Sequence, residues 1–175
     1  MWLKTSALIA AFAATIPAAN WLIGHAGSHC IEGGPCLIPV GFGLYAPSGV
    51  LMIGAALVLR DLIQEAGGLR AALAAIGIGA ALSWLIAPPA LVAASVAAFL
   101  LAELADLAVY TPLRRRQLGL AVLASGMVGA IIDSAVFLWL AFGSLQFIEG
   151  QIIGKAWMSA AASVAITFHK QWRTA

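Results

Sequence analysis

Glu103 and Asp106 stand three residues apart, on one face of any helix that carries them, with Tyr110 a turn further on. Asp133 and Lys155 each stand inside long runs of Ala, Leu, Ile and Val. A carboxylate in such a setting can accept two hydrogen bonds from adjacent N–H groups of a flat solute, and an ammonium can orient that carboxylate or donate to a carbonyl. The same acids can take up and release protons as their surroundings change. Ser125, Gly129 and Asp133 recur every four residues, and so do Lys155, Ser159, Ser163 and Thr167. Two such polar stripes on neighbouring helices point to a wet cavity or path, or to interhelical packing by small residues. Asn20 adds an amide, and Trp139, with Phe137, Trp157 and Tyr45, adds faces on which a ring could stack. The candidate substrate-binding residues are therefore Asp133, Lys155, Glu103, Asp106, Ser125, Ser159, Asn20 and Trp139. Asp61 and Glu65, near Arg60 and Arg70, read instead as an interfacial salt-bridge cluster or a gate, not as ligands.

These groups need a scaffold, and composition says which kind. Of 175 residues 63% are hydrophobic and only 9% charged, against roughly 25% charged in a soluble domain. The mean hydropathy is +1.02. So little polar side chain cannot cover a water-facing surface, so the apolar excess must meet lipid. The formal net charge is +2, with the basic residues scattered, which leaves no nucleic-acid footprint. No HExxH, nucleophile elbow or Ser-His or Cys-His arrangement stands at membrane depth, so neither an enzyme nor a cofactor is expected.

At about 20 apolar residues per crossing the chain has room for roughly six helices and no separate domain. The expected fold is an all-α, polytopic membrane protein: one bundle over residues 1–175, with helices at about 3–23, 47–66, 69–87, 89–110, 118–142 and 150–168. Gly67-Gly68, Pro88-Pro89, Thr111-Pro112 and Gly143-Ser144 mark the breaks. Residues 24–46, rich in Gly and Pro, form a long external loop, expected as a lid. Cys30 and Cys36 within it are either free or paired, and His25 and His29 lack the spacing of a zinc site. Lys4, Arg60, Arg70, Arg114–Arg116, Lys170 and Arg173 fall on one side of six crossings, which puts both termini in the cytoplasm of a plasma-membrane protein. The first apolar run followed by Ala-Thr-Ile-Pro-Ala-Ala also has the form of a cleavable signal peptide, an alternative that would leave five crossings. Trp2, Trp21, Trp84, Trp157 and Trp172, near helix ends, read as interface anchors. Ala10, Ala14 and Ala18 make a small-residue face on the first helix, fit for close approach of another helix.

Several runs carry a family resemblance: Val40-Gly41-Phe42-Gly43, Ala46-Pro47-Ser48-Gly49, Leu59-Arg60-Asp61-Leu62, Ala102-Glu103-Leu104-Ala105-Asp106 and Val109-Tyr110-Thr111-Pro112-Leu113-Arg114. Asp133-Ser134, Phe137 through Gly143, Gly150-Gln151 and Gly154-Lys155 continue it. In order and spacing over about residues 40–160 the chain resembles the VUT family of queuosine-precursor transporters. The resemblance implies a six-helix inner-membrane protein similar to the substrate-binding subunits of energy-coupling-factor transporters. It implies import of a purine-like deazaguanine such as 7-cyano-7-deazaguanine, alone, as a homo-oligomer or with an energising module. The chain departs from the family at Ser125-Gly126, where Ser-Asn is frequent, so a side-chain amide must come from elsewhere, with Asn20 the candidate, or the substrate differs.

Overall fold

An apolar segment in lipid has no water to satisfy its N–H and C=O groups, so it must close its hydrogen bonds within itself as helix. The computed structural model describes residues 2–32, 34–87, 89 and 92–174. Five helices run through them: α1 (Trp2–His25), α2 (Val50–Ile86), α3 (Val92–Leu113), α4 (Leu118–Phe142) and α5 (Ile148–Thr174). Among the described residues, Leu3–His25, Val50–Ile86, Val92–Leu113 and Leu118–Phe142 are long and apolar enough to cross a membrane. The stretch expected as a sixth helix, now the core of α5, is less apolar because it carries Gln151, Lys155, Ser159, Ser163 and Thr167.

The expected second and third helices are joined in α2, whose 37 residues would make a straight rod about 55 Å long. Gly68, at φ 76° and ψ −177°, breaks it. Ile53 near one end and Ile86 at the other line the same cavity, so the chain doubles back at Gly68 into two arms, 50–67 and 69–86. The Gly67-Gly68 turn read from sequence is this reversal. A Cβ on Gly67 would stand 2.7 Å from Thr5 Cγ2, and Arg114 Nη1 lies 2.8 Å from Glu65 Oε1. The start of α1, the α2 reversal and the end of α3 thus meet at one end of the bundle.

Thr111-Pro112, expected as a break, lies inside the last turn of α3. Proline there removes one hydrogen bond just before the helix ends, so little is lost. The Pro88-Pro89 interruption lies partly outside the described residues. The α4 bounds coincide with expectation: Gly143 takes the left-handed conformation (φ 62°) and its N–H donates to Trp139 O at 3.0 Å, closing the helix.

The loop 24–46 corrects the all-α expectation, because much of it folds as an antiparallel sheet in the order β1 (His29–Cys30), β2 (Cys36–Gly41), β3 (Leu44–Pro47). Cys30 and Cys36 are register partners and are joined by a disulfide. The β2–β3 hairpin turns on Phe42 (φ 55°) and Gly43 (φ 74°), the paired positive φ of a tight two-residue loop. Val40, Ala46 and Val50 bury one face of this sheet against Ile153 of α5. Trp157 Nε1 donates to Val40 O at 2.7 Å, so the sheet is fastened to the bundle. The main core, Phe12, Ile16, Ile63, Ile76, Phe99 and Leu107, ties α1, both arms of α2, and α3. Trp21, Trp84, Trp139 and Trp157 are exposed.

Candidate functional site

Near the sheet, α1, both ends of α2, α3, α4 and α5 enclose a cavity of about 260 Å³. Its walls are chiefly apolar, with Ile16, Ile53, Ile86, Phe99 and Phe137 among them. Polar groups enter from Asn20, Ser83, Ser95, Asp133, Gln151 and Lys155. This combination of apolar wall and few placed polar groups is the usual form of a small-molecule pocket.

Asp133 and Lys155 come together here, as antiparallel neighbouring helices require. Lys155 Nζ donates to Asp133 Oδ2 at 2.5 Å, to Ser134 Oγ at 2.7 Å and to Gln151 Oε1 at 3.0 Å. An ammonium has three hydrogens, and all three are taken. Lys155 therefore holds its neighbours in place and has no donor left for a ligand. Asp133 Oδ1 receives no hydrogen bond among the described residues, and Gln151 keeps its amide N–H donors. Asn20 Nδ2 donates to Ile16 O at 3.0 Å, which leaves its carbonyl oxygen as a second acceptor. The cavity thus offers two acceptors and an amide donor beside the Phe99 and Phe137 rings.

Glu103, Asp106 and Ser125 lie outside the cavity lining, in a second group further along the same helices. Arg60 is its centre. Its Nη1 lies 2.8 Å from Asp61 Oδ1, its Nε 3.2 Å from Glu103 Oε2, and its Nη2 pairs with Asp106 Oδ1. Ser125 Oγ donates to Asp61 Oδ2 at 3.2 Å, and the guanidinium carbon sits 5.5 Å from the Tyr110 ring centroid. All four charged side chains are at most 2% exposed. The expected interfacial cluster is corrected on this point: Arg60 and Asp61 are interior, because Glu103 and Asp106 face them from α3. Arg60 therefore belongs to no loop. Glu65 does lie at the surface, paired with Arg114.

The polar stripes of α4 and α5 face one another, but in close packing along most of their length. Ser163 Oγ donates to Gly119 O at 2.8 Å. A Cβ on Gly126 would stand 2.8 Å from Ser159 Cβ and collide with its Oγ. Ser159 is fully buried and supports the α4–α5 contact. The stripes open into the cavity at Asp133 and Lys155. Trp139 is 62% exposed and outside the lining. Phe99, Gln151 and Ser134 were missed from sequence. Gln151 stands one turn before Lys155, and that four-residue spacing is the signal that would have found it. Among the described residues no set of His, Cys, Asp or Glu is placed to hold a metal.

A family model described as "Putative vitamin uptake transporter" matches residues 83–170. This covers α3, α4 and most of α5, hence Asp133, Lys155, Glu103 and Asp106. Comparison with curated proteins and with solved structures gives no match.

Proposed function

The chain belongs to the vitamin uptake transporter family, and on that premise we propose that it imports a queuosine precursor such as 7-cyano-7-deazaguanine. The observation that carries this reading is the Asp133 carboxylate, fixed by Lys155 with one oxygen left open in an apolar cavity. A deazaguanine is flat and neutral and presents adjacent N–H groups on its amino-pyrimidinone edge. Asp133 accepts those N–H groups, Gln151 donates to the ring carbonyl, and Phe99 and Phe137 cover the faces. A solute lacking these donors leaves the carboxylate unpaired, and that cost is the basis of selection. Asn20 stands for the amide absent at Gly126.

In this reading each arm of α2 crosses the membrane separately, being about 27 Å long at 1.5 Å per residue against a hydrocarbon layer of about 30 Å. The polar stripe of α5 is turned to α4, so α5 adds a sixth crossing. Arg70 and Arg114 share the bundle end of the α2 reversal, which we assign to the cytoplasm with both termini, in the inner membrane. The sheet and cavity then face outward.

Uptake of labelled 7-cyano-7-deazaguanine, in cells unable to make it, tests the reading. Expression of the chain should restore uptake, and Asp133→Asn and Lys155→Met should abolish it at normal protein level. Unchanged uptake in both variants overturns it. A second reading, a substrate-binding subunit served by an energising module, is favoured by Ala10 and Ala14, which are exposed on the outer side of α1. Co-purification of a membrane partner with an ATPase, and loss of uptake without them, distinguishes it.

A further inference from the structure

Three helices carry their polar groups in one order from the cavity to the opposite end. Along α2, Ile53 in the cavity wall is followed by Arg60 and Asp61, then by Gln64 and Glu65. Along α3, Phe99 is followed by Glu103 and Asp106, then by Tyr110 and Thr111, with Arg114 just past its end. The antiparallel α4 goes from Phe137 and Asp133 in the wall back to Ser125.

The middle group does not balance. One guanidinium faces three carboxylates, none more than 2% exposed. Fully ionised, the group would hold a formal charge of −2 with no water to screen it, which a buried site does not sustain. Asp106 Oδ2 is buried between α3 and Gly129 of α4 and accepts no hydrogen bond among the described residues. Ser125 gives its single hydrogen to Asp61 Oδ2, so Asp106 Oδ2 goes without that donor, and a proton held within the group would satisfy it.

Polar groups continue on both sides of this cluster. Toward the cavity, Glu103 stands one turn beyond the cavity-lining Phe99, and Gly129, which packs on Asp106, stands one turn before Asp133, the partner of Lys155. Toward the other end, Arg60 Nη1 reaches Gln64 Oε1 at 3.5 Å, and Gln64 Nε2 donates to Thr111 Oγ1 at 3.0 Å. Tyr110 OH donates to Glu65 Oε1 at 3.2 Å, and Glu65 pairs with the part-exposed Arg114. The charged groups of α1, Lys4 and His25, lie at its exposed ends.

We propose that Asp61, Glu103 and Asp106 around Arg60 form a proton site, open in turn to the cavity and to the Glu65–Arg114 end, which couples solute uptake to proton entry. The coupling rests on the transport reading; the proton site does not. In each cycle one proton passes from water in the cavity to a carboxylate oxygen of the Asp61–Asp106 pair, neutralising one charge. It leaves to water at the Glu65–Arg114 end, restoring the carboxylate. No other bond is made or broken.

Infrared spectra of the purified protein at pH 7 test the site without any solute. The wild type should give the carbonyl band of a protonated carboxylic acid, shifted in heavy water. Asp106→Asn should diminish it, and Glu149→Gln, at an exposed position, should leave it intact. A wild type without such a band overturns the proposal, whether or not the variant folds. Coupling is read in proteoliposomes with labelled 7-cyano-7-deazaguanine. One pH unit, acid outside, should give up to about tenfold accumulation at one proton per solute, with acidification of the lumen, and Asp106→Asn should reduce accumulation to equilibration. Uptake that ignores the gradient overturns the coupling while the transport reading stands. A band without any uptake overturns the transport reading, and the coupling with it, while the proton site stands.

Discussion

Lys155 Nζ lies 2.5 Å from Asp133 Oδ2 across the α4–α5 contact, and Ser134 and Gln151 take its other hydrogens. The lysine side chain is 2% exposed and the aspartate 14%. The two ends of the pair are therefore unequal: water reaches Asp133 from the cavity, while Lys155 depends wholly on its three acceptors.

Asp133→Asn leaves a buried ammonium without its counter-charge and should lower stability by about 3 kcal/mol. Lys155→Met leaves a carboxylate that water can reach and should cost about 1 kcal/mol. The double variant should resemble Lys155→Met in stability and still lack uptake. Thermal unfolding in detergent of the three proteins checks the order, and equal losses for both single variants would contradict it.

Gly126→Ala should separate α4 from α5 by colliding with Ser159, at about 1–3 kcal/mol. Because Ser159 Cβ would also be 2.8 Å away, Ser159→Ala should relieve little and Ser159→Gly most of the loss. Melting temperatures of both double variants decide the point.

Gly68→Ala meets no atom within 4 Å of the new Cβ, so its whole cost is the backbone at φ 76° and ψ −177°, about 1–3 kcal/mol. Gly77→Ala, equally open but helical, should be neutral or gain up to about 1 kcal/mol. Equal melting temperatures for the two variants would remove the reversal as the strained position.

Reducing Cys30–Cys36, or replacing both by Ser, opens a short ring and should cost roughly 2 kcal/mol in the loop-entropy account. Trp157 and the Val40, Ala46 and Val50 cluster still fasten the sheet, so α-helical circular dichroism should persist. Faster exchange of the β1 and β2 amides, with the bundle unchanged, is the expected signature; helix loss would show the disulfide to be essential to the fold.

The long apolar runs and their stop signals made the helices legible, with Gly143 ending α4 and Gly67-Gly68 marking the α2 reversal. Asp133 and Lys155 were legible as a pair because antiparallel neighbours bring them to one level. Arg60 and Asp61 were not, since only six residues separate Asp61 from the Gly67 turn. What draws them inside is Glu103 and Asp106, more than 40 residues away in the chain. The sheet was hidden because its strands are short and interrupted by Pro39, so residues 36–46 read as loop and Pro47 as a helix start. Trp139 has the right chemistry for stacking, but its helix turns it outward.

The Arg60 cluster also bears on how the chain is made. In the six-crossing reading, the first arm of α2 enters lipid carrying an arginine and an aspartate near its middle, which costs about 2.5–3.5 kcal/mol for each charge. Glu103 and Asp106 are synthesised only after both arms of α2. In that reading, Arg60 therefore gains two of its three carboxylate partners only once α3 has followed α2 into the bundle.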